Sequence, residues 1–461
     1  MLAGTKINNC NSFRFLNMVL AIAIVTLLGG QEAFAQFAGG GGGLLLNNGR
    51  SVGGIQITTD GVLSGQTIRL TDDIKQQLQQ GLGKIDADIN KPGTRMISLK
   101  ALEKKMVECK NSGKPFPADV LYMAGLQRIE YVILSKENND VIVAGPAEGF
   151  KTDSEGNVVG EKSGMPVLRL EDFLVAMRHV NNARQGYGIS VSIDPTEQGL
   201  RNVQRLMQNY TVSSFNKNSA RDLEEACGPQ NITLTGVPTD SRFSQVLVAA
   251  DYKMKRLAMG LEEAPEFLPS VLAMAKARNS RFKKMSPRFW MEANYEPVAV
   301  SDDKTVWKLN GQGVCAKTEE EVLKADGQKI VKPSKLATKW ADEMTKHYDK
   351  LSTIVPVFRE LRNLMDISVV AAIIEREGLL KSAELRIPAI QGIDTISIPK
   401  WNVPKTVPTQ CSFARMTRSL MVTTSGGVTI DSWAVASNTT VDSKLKLDAT
   451  MSSDRWWWNA N

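Results

Sequence analysis

The sequence predicts an α+β protein of mixed antiparallel hairpins and helices, folded as at least two packed subdomains with a helical pair near residues 334–378. Three observations predict it. Short apolar runs bounded by Asn, Asp and Gly turns recur without the regular strand–helix alternation of a doubly wound sheet. Amphipathic stretches such as Leu170, Phe173, Leu174 and Met177 lie between those runs at helical spacing. The composition, 461 residues with 42% hydrophobic and 23% charged, is that of an ordinary folded chain and excludes collagen-like, low-complexity or wholly disordered classes.

The first 35 residues read as an address. Lys6 and Arg14 precede an apolar run from Leu16 to Leu28, followed by Ala33-Phe34-Ala35, a small-x-small site of the kind signal peptidase cuts. The run is shorter than the roughly 20 residues that span a bilayer. Segment 1–35 is therefore expected to be a secretory signal peptide cleaved after Ala35, with a retained anchor as the alternative. The expected location is secreted or periplasmic, with no transmembrane anchor after cleavage. Loss of Lys6, Arg14 and Glu32 with the leader changes the formal charge from +7 to +6 and leaves 426 residues. Because the two signs are interspersed, this excess alone names no partner.

Residues 36–54, with five consecutive glycines at 39–43, are expected to form a flexible leader. An N-terminal α+β domain is expected over 55–215. Ile55 to Leu63 alternates around Asp60-Gly61 as a strand and turn. Ser98 caps a helix, Ile97 and Leu102 staple it, and Gly113 ends it. Ile129 to Leu134 and Asp140 to Ala144 form a hairpin across Glu137-Asn138-Asn139, Gly145-Pro146 breaks its second strand, and Asp153 to Asn157 makes a further turn. After the helix marked by Leu170, Tyr187, Ile189, Val191 and Ile193 alternate with Gly188, Ser190 and Ser192, which gives a strand with one apolar face and one small, polar face. Asp194 is expected to cap the next helix, with Pro195 first and Glu197 third, and Leu200, Val203, Leu206 and Tyr210 to form its buried stripe.

A helix-rich segment follows at 216–285, where two helices flank a strand from Asn231 to Val237 and the second carries Phe243, Val246, Leu247, Ala250 and Leu257 on one face. Residues 286–332 read as a small strand meander with turns at Asp302-Asp303 and Gly311 to Gly313. Segment 333–380 is the helical pair, Ser334 to Leu351 and Val355 to Glu377, and the run Val369 to Ile374, apolar on all sides, sets its second helix deep. Strands return over 381–436, with Leu420 to Thr424 and Val428 to Asp431 paired across Ser425-Gly426-Gly427. A polar tail, 437–461, ends in Trp456-Trp457-Trp458.

The segments Ala124-Gly125-Leu126-Gln127-Arg128-Ile129-Glu130-Tyr131-Val132, Asp140 to Gly149 (DVIVAGPAEG) and Ala250 to Arg256 (ADYKMKR) resemble a family of secreted planctomycete proteins, the domain of unknown function 1598 family. The resemblance covers most of the mature chain, and AGPAEG is its most specific piece. It implies export and a bacterial source and brings no catalytic residue or ligand with it.

Export implies an oxidising compartment for the thiols that remain, Cys109, Cys227, Cys315 and Cys411. Cys109 completes an apolar stripe with Leu102 and Met106, and Cys227 follows Leu223 by one turn on another helix. Cys315 and Cys411 have strand-like surroundings. Pairing by likeness gives Cys109 with Cys227 and Cys315 with Cys411, one of three connectivities, and the other reading is four buried free thiols.

Two His and five Cys are too few for most zinc sites. A P-loop, a dinucleotide fingerprint and a Gly-x-Ser-x-Gly elbow are all missing from the sequence, so no cofactor is expected. Ser280-x-x-Lys283 and Ser443-x-x-Lys446 lack companion motifs, and Asp86-x-Asp88-x-Asn90 has Lys91 where a calcium loop needs Gly and Ile97 where it needs Glu. His179 and His347 read as solvated. No catalytic or metal-binding residue is named.

Four features carry a functional reading beside a plain one. The loop Gly145, Pro146, Glu148 follows a buried strand, so Glu148 is either an acid or base on a rigid scaffold or a solvated turn residue. Asp251, one turn before Lys255, reads as half of a helix-surface pair. Lys276, Arg278, Arg281, Lys283, Lys284 and Arg288 place six bases in 13 residues with no acid, next to Phe282, Phe289 and Trp290. That stretch suits an anionic envelope or extracellular polymer better than cytoplasmic nucleic acid, or else Lys276 and Arg278 offset a helix dipole beside a solvated loop. Trp456, Trp457 and Trp458 alternate faces, so at least one is exposed to a glycan or protein partner unless the tail docks on its own domain. The resulting expectation is an exported, envelope-associated binding or structural component without enzymatic activity. Its rivals are an exported hydrolase whose carboxylates the fold brings together and an assembly subunit using the Trp tip. Two facing carboxylates in a pocket favour the hydrolase, and a continuous basic and aromatic surface favours binding.

Overall fold

The computed structural model describes residues 50–52, 55–57, 63–64, 72–83, 85–184, 188–208, 217–278, 284–285, 287–319, 321–323, 329–331, 335–394, 396–414, 420–422, 425–450 and 455–460. The leader, the glycine run, Tyr187, Tyr210, Arg281 and Lys283 lie outside them.

The principal strands are β1 (Gly93–Ser98), β2 (Tyr131–Ser135), β3 (Asp140–Ala147), β4 (Ile189–Pro195), β5 (Gln230–Thr235), β6 (Arg288–Asn294), β7 (Val298–Val300), β8 (Val306–Lys308), β9 (Gly313–Glu319), β10 (Thr406–Val407), β11 (Ser425–Ile430), β12 (Thr439–Val441) and β13 (Trp457–Asn459). The helices that matter below are α1 (Leu99–Asn111), α2 (Leu170–Arg184), α3 (Glu197–Gln208), α4 (Lys217–Cys227), α5 (Arg242–Met259), α6 (Val271–Ala277), α7 (Lys335–Lys346) and α8 (Pro356–Arg376). Local signals place several of them. The Ser98 side chain accepts from the Ala101 N–H and starts α1, while Gly260 and Gly378, both in the left-handed region that Gly adopts without penalty, follow α5 and α8. The first member of the expected helical pair stops at Lys346, and a separate short helix, Tyr348–Ile354, leads into α8.

Two mixed sheets, largely antiparallel, organise the α+β fold. One has seven strands in the order β12-β7-β8-β2-β3-β1-β13, and the other six, β9-β6-β11-β4-β5-β10. The hairpin β2–β3 pairs Val132 with Val143 and Leu134 with Val141, as its alternation requires. The meander divides between the sheets: β6 and β9 pair in the six-stranded one, β7 and β8 in the seven-stranded one. The hairpin expected across Ser425 to Gly427 does not form. Residues 420–422 pair with 412–414, and β11 instead runs parallel to β6 and antiparallel to β4. Gly426, at φ 131°, lies so close to β6 that a Cβ there would stand 1.6 Å from the Phe289 carbonyl oxygen. The glycines are thus an insertion into a sheet rather than a turn. The cap of α3 is also displaced: β4 runs through Pro195, Thr196 Oγ1 accepts from the Gly199 N–H, and Leu200 is exposed while Gly199 is buried.

One apolar cluster joins the inner faces of both sheets, through Val143, Val191, Phe289 and Val428 among others, to α1, α2, α5, α7 and α8. A second cluster, with Met96, Ile142, Val306 and Trp458, covers the other face of the seven-stranded sheet together with Leu445 from the tail. That arrangement settles the tryptophans. β13 pairs with β1, Trp457 opposite Ile97 and Trp458 opposite Met96, so Trp457, with Trp456, enters the main cluster and Trp458 the second. Trp456, Trp457 and Trp458 are only 7%, 3% and 4% exposed, which removes them as a tip for docking a partner. Trp457 also stacks on Arg95, whose guanidinium carbon is 4.6 Å from the ring centre. Arg95 is wholly buried and donates to the carbonyls of Ile89, Lys91 and Ala124 and to Asn459 Oδ1.

The expected disulfides are not formed. Cys109, Cys227, Cys315 and Cys411 are four buried free thiols. Cys109 faces the main core from α1, Cys315 Sγ lies 3.8 Å from Glu292 Oε1, and Cys411 packs on Ala220 and Leu223 of α4. Pairing by similar surroundings fails because the fold sends similar surroundings to different places. Burial pushes the Cys315 thiol up to about 11 and that of Cys411 up to about 12, keeping both protonated.

Trp457→Ala removes a ring that seals one cluster and covers a buried guanidinium. It is expected to lower unfolding free energy by about 3–5 kcal/mol, read by urea titration.

Candidate functional site

The two sheets differ in one respect that bears on function: the six-stranded sheet carries its apolar side chains on one face and, among the described residues, mostly polar ones on the other. Its inner side chains, Ile189, Val191, Ile193, Phe289, Met291, Val428 and Ile430, are buried. Because side chains alternate, the residues between them form an outer face, and the register aligns it in rows across the strands. Lys317, Trp290, Gly427, Ser192 and Thr233 form one row. Cys315, which is buried, Glu292, Thr429, Ser190 and Thr235 form the next. Lys317, Thr233 and Thr235 are exposed, and Trp290, Glu292, Ser190, Ser192 and Thr429 are half-buried.

Polar contacts fix this face. The Trp290 indole N–H donates to Glu292 Oε2 at 3.1 Å, and Lys317 Nζ lies 3.5 Å from Glu292 Oε1. Arg288 stands 3.8 Å from both Asp194 and Glu319, and the Ser190 and Thr235 hydroxyls are 2.8 Å apart. Asp194 therefore serves this face rather than a helix cap. Gly427 has its own backbone reason: a Cβ there would fall 1.9 Å from the Val191 carbonyl oxygen.

Beneath the same strands lies the pair Asp251 and Lys255. Expected on a helix surface, both are buried, because α5 is enclosed on nearly every side. Lys255 Nζ donates to Asp251 Oδ2 at 2.8 Å and to the carbonyls of Ile193 at 3.0 Å and Gly426 at 3.1 Å. Burial pushes the Asp251 carboxyl up to about 6 against the pull of the Lys255 ammonium, and burial lowers Lys255 against the pull of Asp251. Tyr252, Lys255, Arg256, Gln230 and Gln410 line a small recess at this point.

The second buried charge cluster joins three helices. Arg242 of α5 donates to Asp172 of α2, and its Nη2 lies 2.7 Å from Glu360 Oε2 of α8. Burial raises the Asp172 carboxyl to about 6 although Arg242 opposes it. These two carboxylates share a recess with Asn363, but each is turned onto the guanidinium between them.

The remaining sequence candidates are distributed widely. Lys276 and Arg278 stand exposed at the end of α6, capped by Ser270 at its start. Arg281 and Lys283 fall outside the described residues, and Lys284 belongs to a two-residue strand with Met285. Glu148 is buried, not solvated: it accepts from the Ser163 N–H at 2.9 Å, the Ser163 hydroxyl and Gln127 Nε2 at 2.7 Å. Burial alone would raise its carboxyl, but the Ser163 and Gln127 donors outweigh it and hold the group low. A Cβ on Gly145 would meet the Arg128 carbonyl oxygen at 2.2 Å, so this loop is a close-packed joint. Among the described residues no group of three or more His, Cys, Asp and Glu is placed to hold a metal, and no helix is long and apolar enough to cross a membrane.

The model of a family described as "Protein of unknown function (DUF1598)" matches residues 191–271, from β4 through α5 to the start of α6. The match includes Ala250 to Arg256 and excludes Ala124 to Val132 and Asp140 to Gly149. Both Arg242 and the Asp251–Lys255 pair fall inside it. No curated protein and no solved structure matches the chain.

Lys255→Met leaves Asp251 buried without its counter-charge and is expected to cost about 3–5 kcal/mol near neutral pH. An unfolded Asp titrates near about 4, so between about pH 4 and 6 the folded protein keeps a proton that the unfolded chain has released. This carboxyl's contribution is fully present below about pH 4 and is lost as pH rises through 6. Lys255→Met extends that decline to higher pH. Asp251→Asn combined with Lys255→Met restores most of the loss and removes the pH dependence, as urea unfolding at several pH values will show.

Proposed function

We propose that the protein is an exported, envelope-associated binding component that holds an envelope polymer by exposed side chains and carries out no reaction on it. The observation that carries this reading is the exposure of Lys276 and Arg278 at the end of α6, which open a stretch of six bases without an acid. The basic leader with its Ala33-Phe34-Ala35 site and the resemblance to a secreted family support export. Charge attraction to an anionic polymer is reduced by salt, since the screening length falls from about 10 Å at 0.1 M to about 3 Å at 1 M.

A hydrolytic reading has one observation in its favour, the recess shared by Asp172 and Glu360. It requires that Asp172→Asn or Glu360→Gln abolish turnover of an extracellular polymer by the purified protein.

Fractionation of native cells tests the main reading. The mature protein is expected to stay with the envelope through osmotic release and a low-salt wash and to leave at high salt. Changing Lys276, Arg278, Arg281, Lys283 and Lys284 together to Gln should release it in the low-salt wash. Recovery of the unaltered protein in the first osmotic fraction would sink the proposal.

A further inference from the structure

We infer that the outer face of the six-stranded sheet is a platform for an uncharged polysaccharide strand, with Trp290 as its stacking ring. The inference rests on the binding reading above and names the chemistry that the face itself would recognise. Charge comes first. Each charge that the strands present here faces an opposite one, Arg288 with Asp194 and Glu319 and Lys317 with Glu292, so the face complements an uncharged ligand better than a polyanion.

The rest of the face has the chemistry of sugar recognition. Ser190, Ser192, Thr233, Thr235 and Thr429 supply hydroxyls that both donate and accept, which suits a ligand whose own polar groups are hydroxyls. Trp290 commits its only donor to Glu292, so what the side chain offers a ligand is its apolar ring, the part that packs against the C–H face of a pyranose. Gly427 and Ser192, next to Trp290 in its row, are too small to obstruct a ligand lying across the strands. At about 4.8 Å per strand the row from Lys317 to Thr233 is about 19 Å long, the scale of several sugar rings rather than one. A flat, extended site of this kind fits a polymer, whereas a monosaccharide would need an enclosing pocket.

The test is retention of the full mature chain on insoluble cellulose, chitin and mannan, with polygalacturonate as the charged comparison, at low salt and at about 0.5 M salt. At least one of the neutral polysaccharides is expected to retain the protein equally at both salt concentrations. Trp290→Ala is expected to weaken that retention roughly tenfold, the scale of one lost ring contact, and Trp290→Phe to keep most of it. Ser192→Arg, which places a long side chain in the same row without altering Trp290, is expected to block it as well and serves if Trp290→Ala does not fold. Failure of all three neutral polysaccharides to retain the protein overturns the inference, as does undiminished retention of both variants. Binding to polygalacturonate alone, abolished by salt, overturns the platform and leaves the envelope-binding proposal standing. Salt-independent retention on a neutral polysaccharide, in a protein that fractionates as freely soluble, upholds the platform and removes the envelope proposal.

Discussion

Three charged side chains of α5, Arg242, Asp251 and Lys255, are held where water does not reach them, and the arrangement of the layers around that helix is the set of partners they require. An uncompensated buried charge costs several kcal/mol, so each partner is obligatory rather than incidental. Arg242 demands carboxylates from two other helices and thereby fixes α2 and α8 against α5. Lys255 demands two carbonyls from neighbouring strands, Ile193 in β4 and Gly426 in β11, which face each other in the sheet. A one-residue slip of β11 would withdraw one of those carbonyls and turn Val428 and Ile430 to the outer face. The buried ammonium and the apolar alternation therefore select the same register.

What could be read from the sequence follows the range over which each signal acts. The α+β class, the β2–β3 hairpin and the Ser98 cap are local, and the residues that encode them are within a few positions of the elements they define. The polar face of β4 was visible in Ser190 and Ser192 for the same reason. What those serines face was not, because Thr233, Gly427 and Trp290 reach them from strands far away in the chain. Asp251 and Lys255 illustrate the limit well. Their spacing is that of an exposed helical pair, and only the enclosure of α5 on nearly every side, a property of other segments, makes them a buried one. The sequence leaves the cysteines and the terminal tryptophans open between two readings for the same reason, since a sulfur's partner and a ring's cover depend on contacts that no short window contains.

The same contrast accounts for the site. Trp290 and Arg288 drew attention as members of a cationic stretch, yet the structure assigns them to a face where the cations are matched by carboxylates. Residues chosen for charge thus turn out to matter for position. Two sheets of similar size are finished differently, one packed on the helical core and covered on its other face with help from the tail, and one left with a polar side that no described helix seals, and the proposed recognition rests on that difference.

The strand order also sets a timetable. β11, from residues beyond 424, lies between β6 and β4 in the interior of one sheet, and β13, from residues beyond 456, completes the edge of β1 and the enclosure of Arg95 in the other. Neither sheet can close while those late segments are still being made. Contacts between residues so far apart in sequence form slowly, and until they do, the open edges of β6, β4 and β1 and the Arg95 guanidinium lack their cover. A chain built in this way stays unfinished until its last segments are in place.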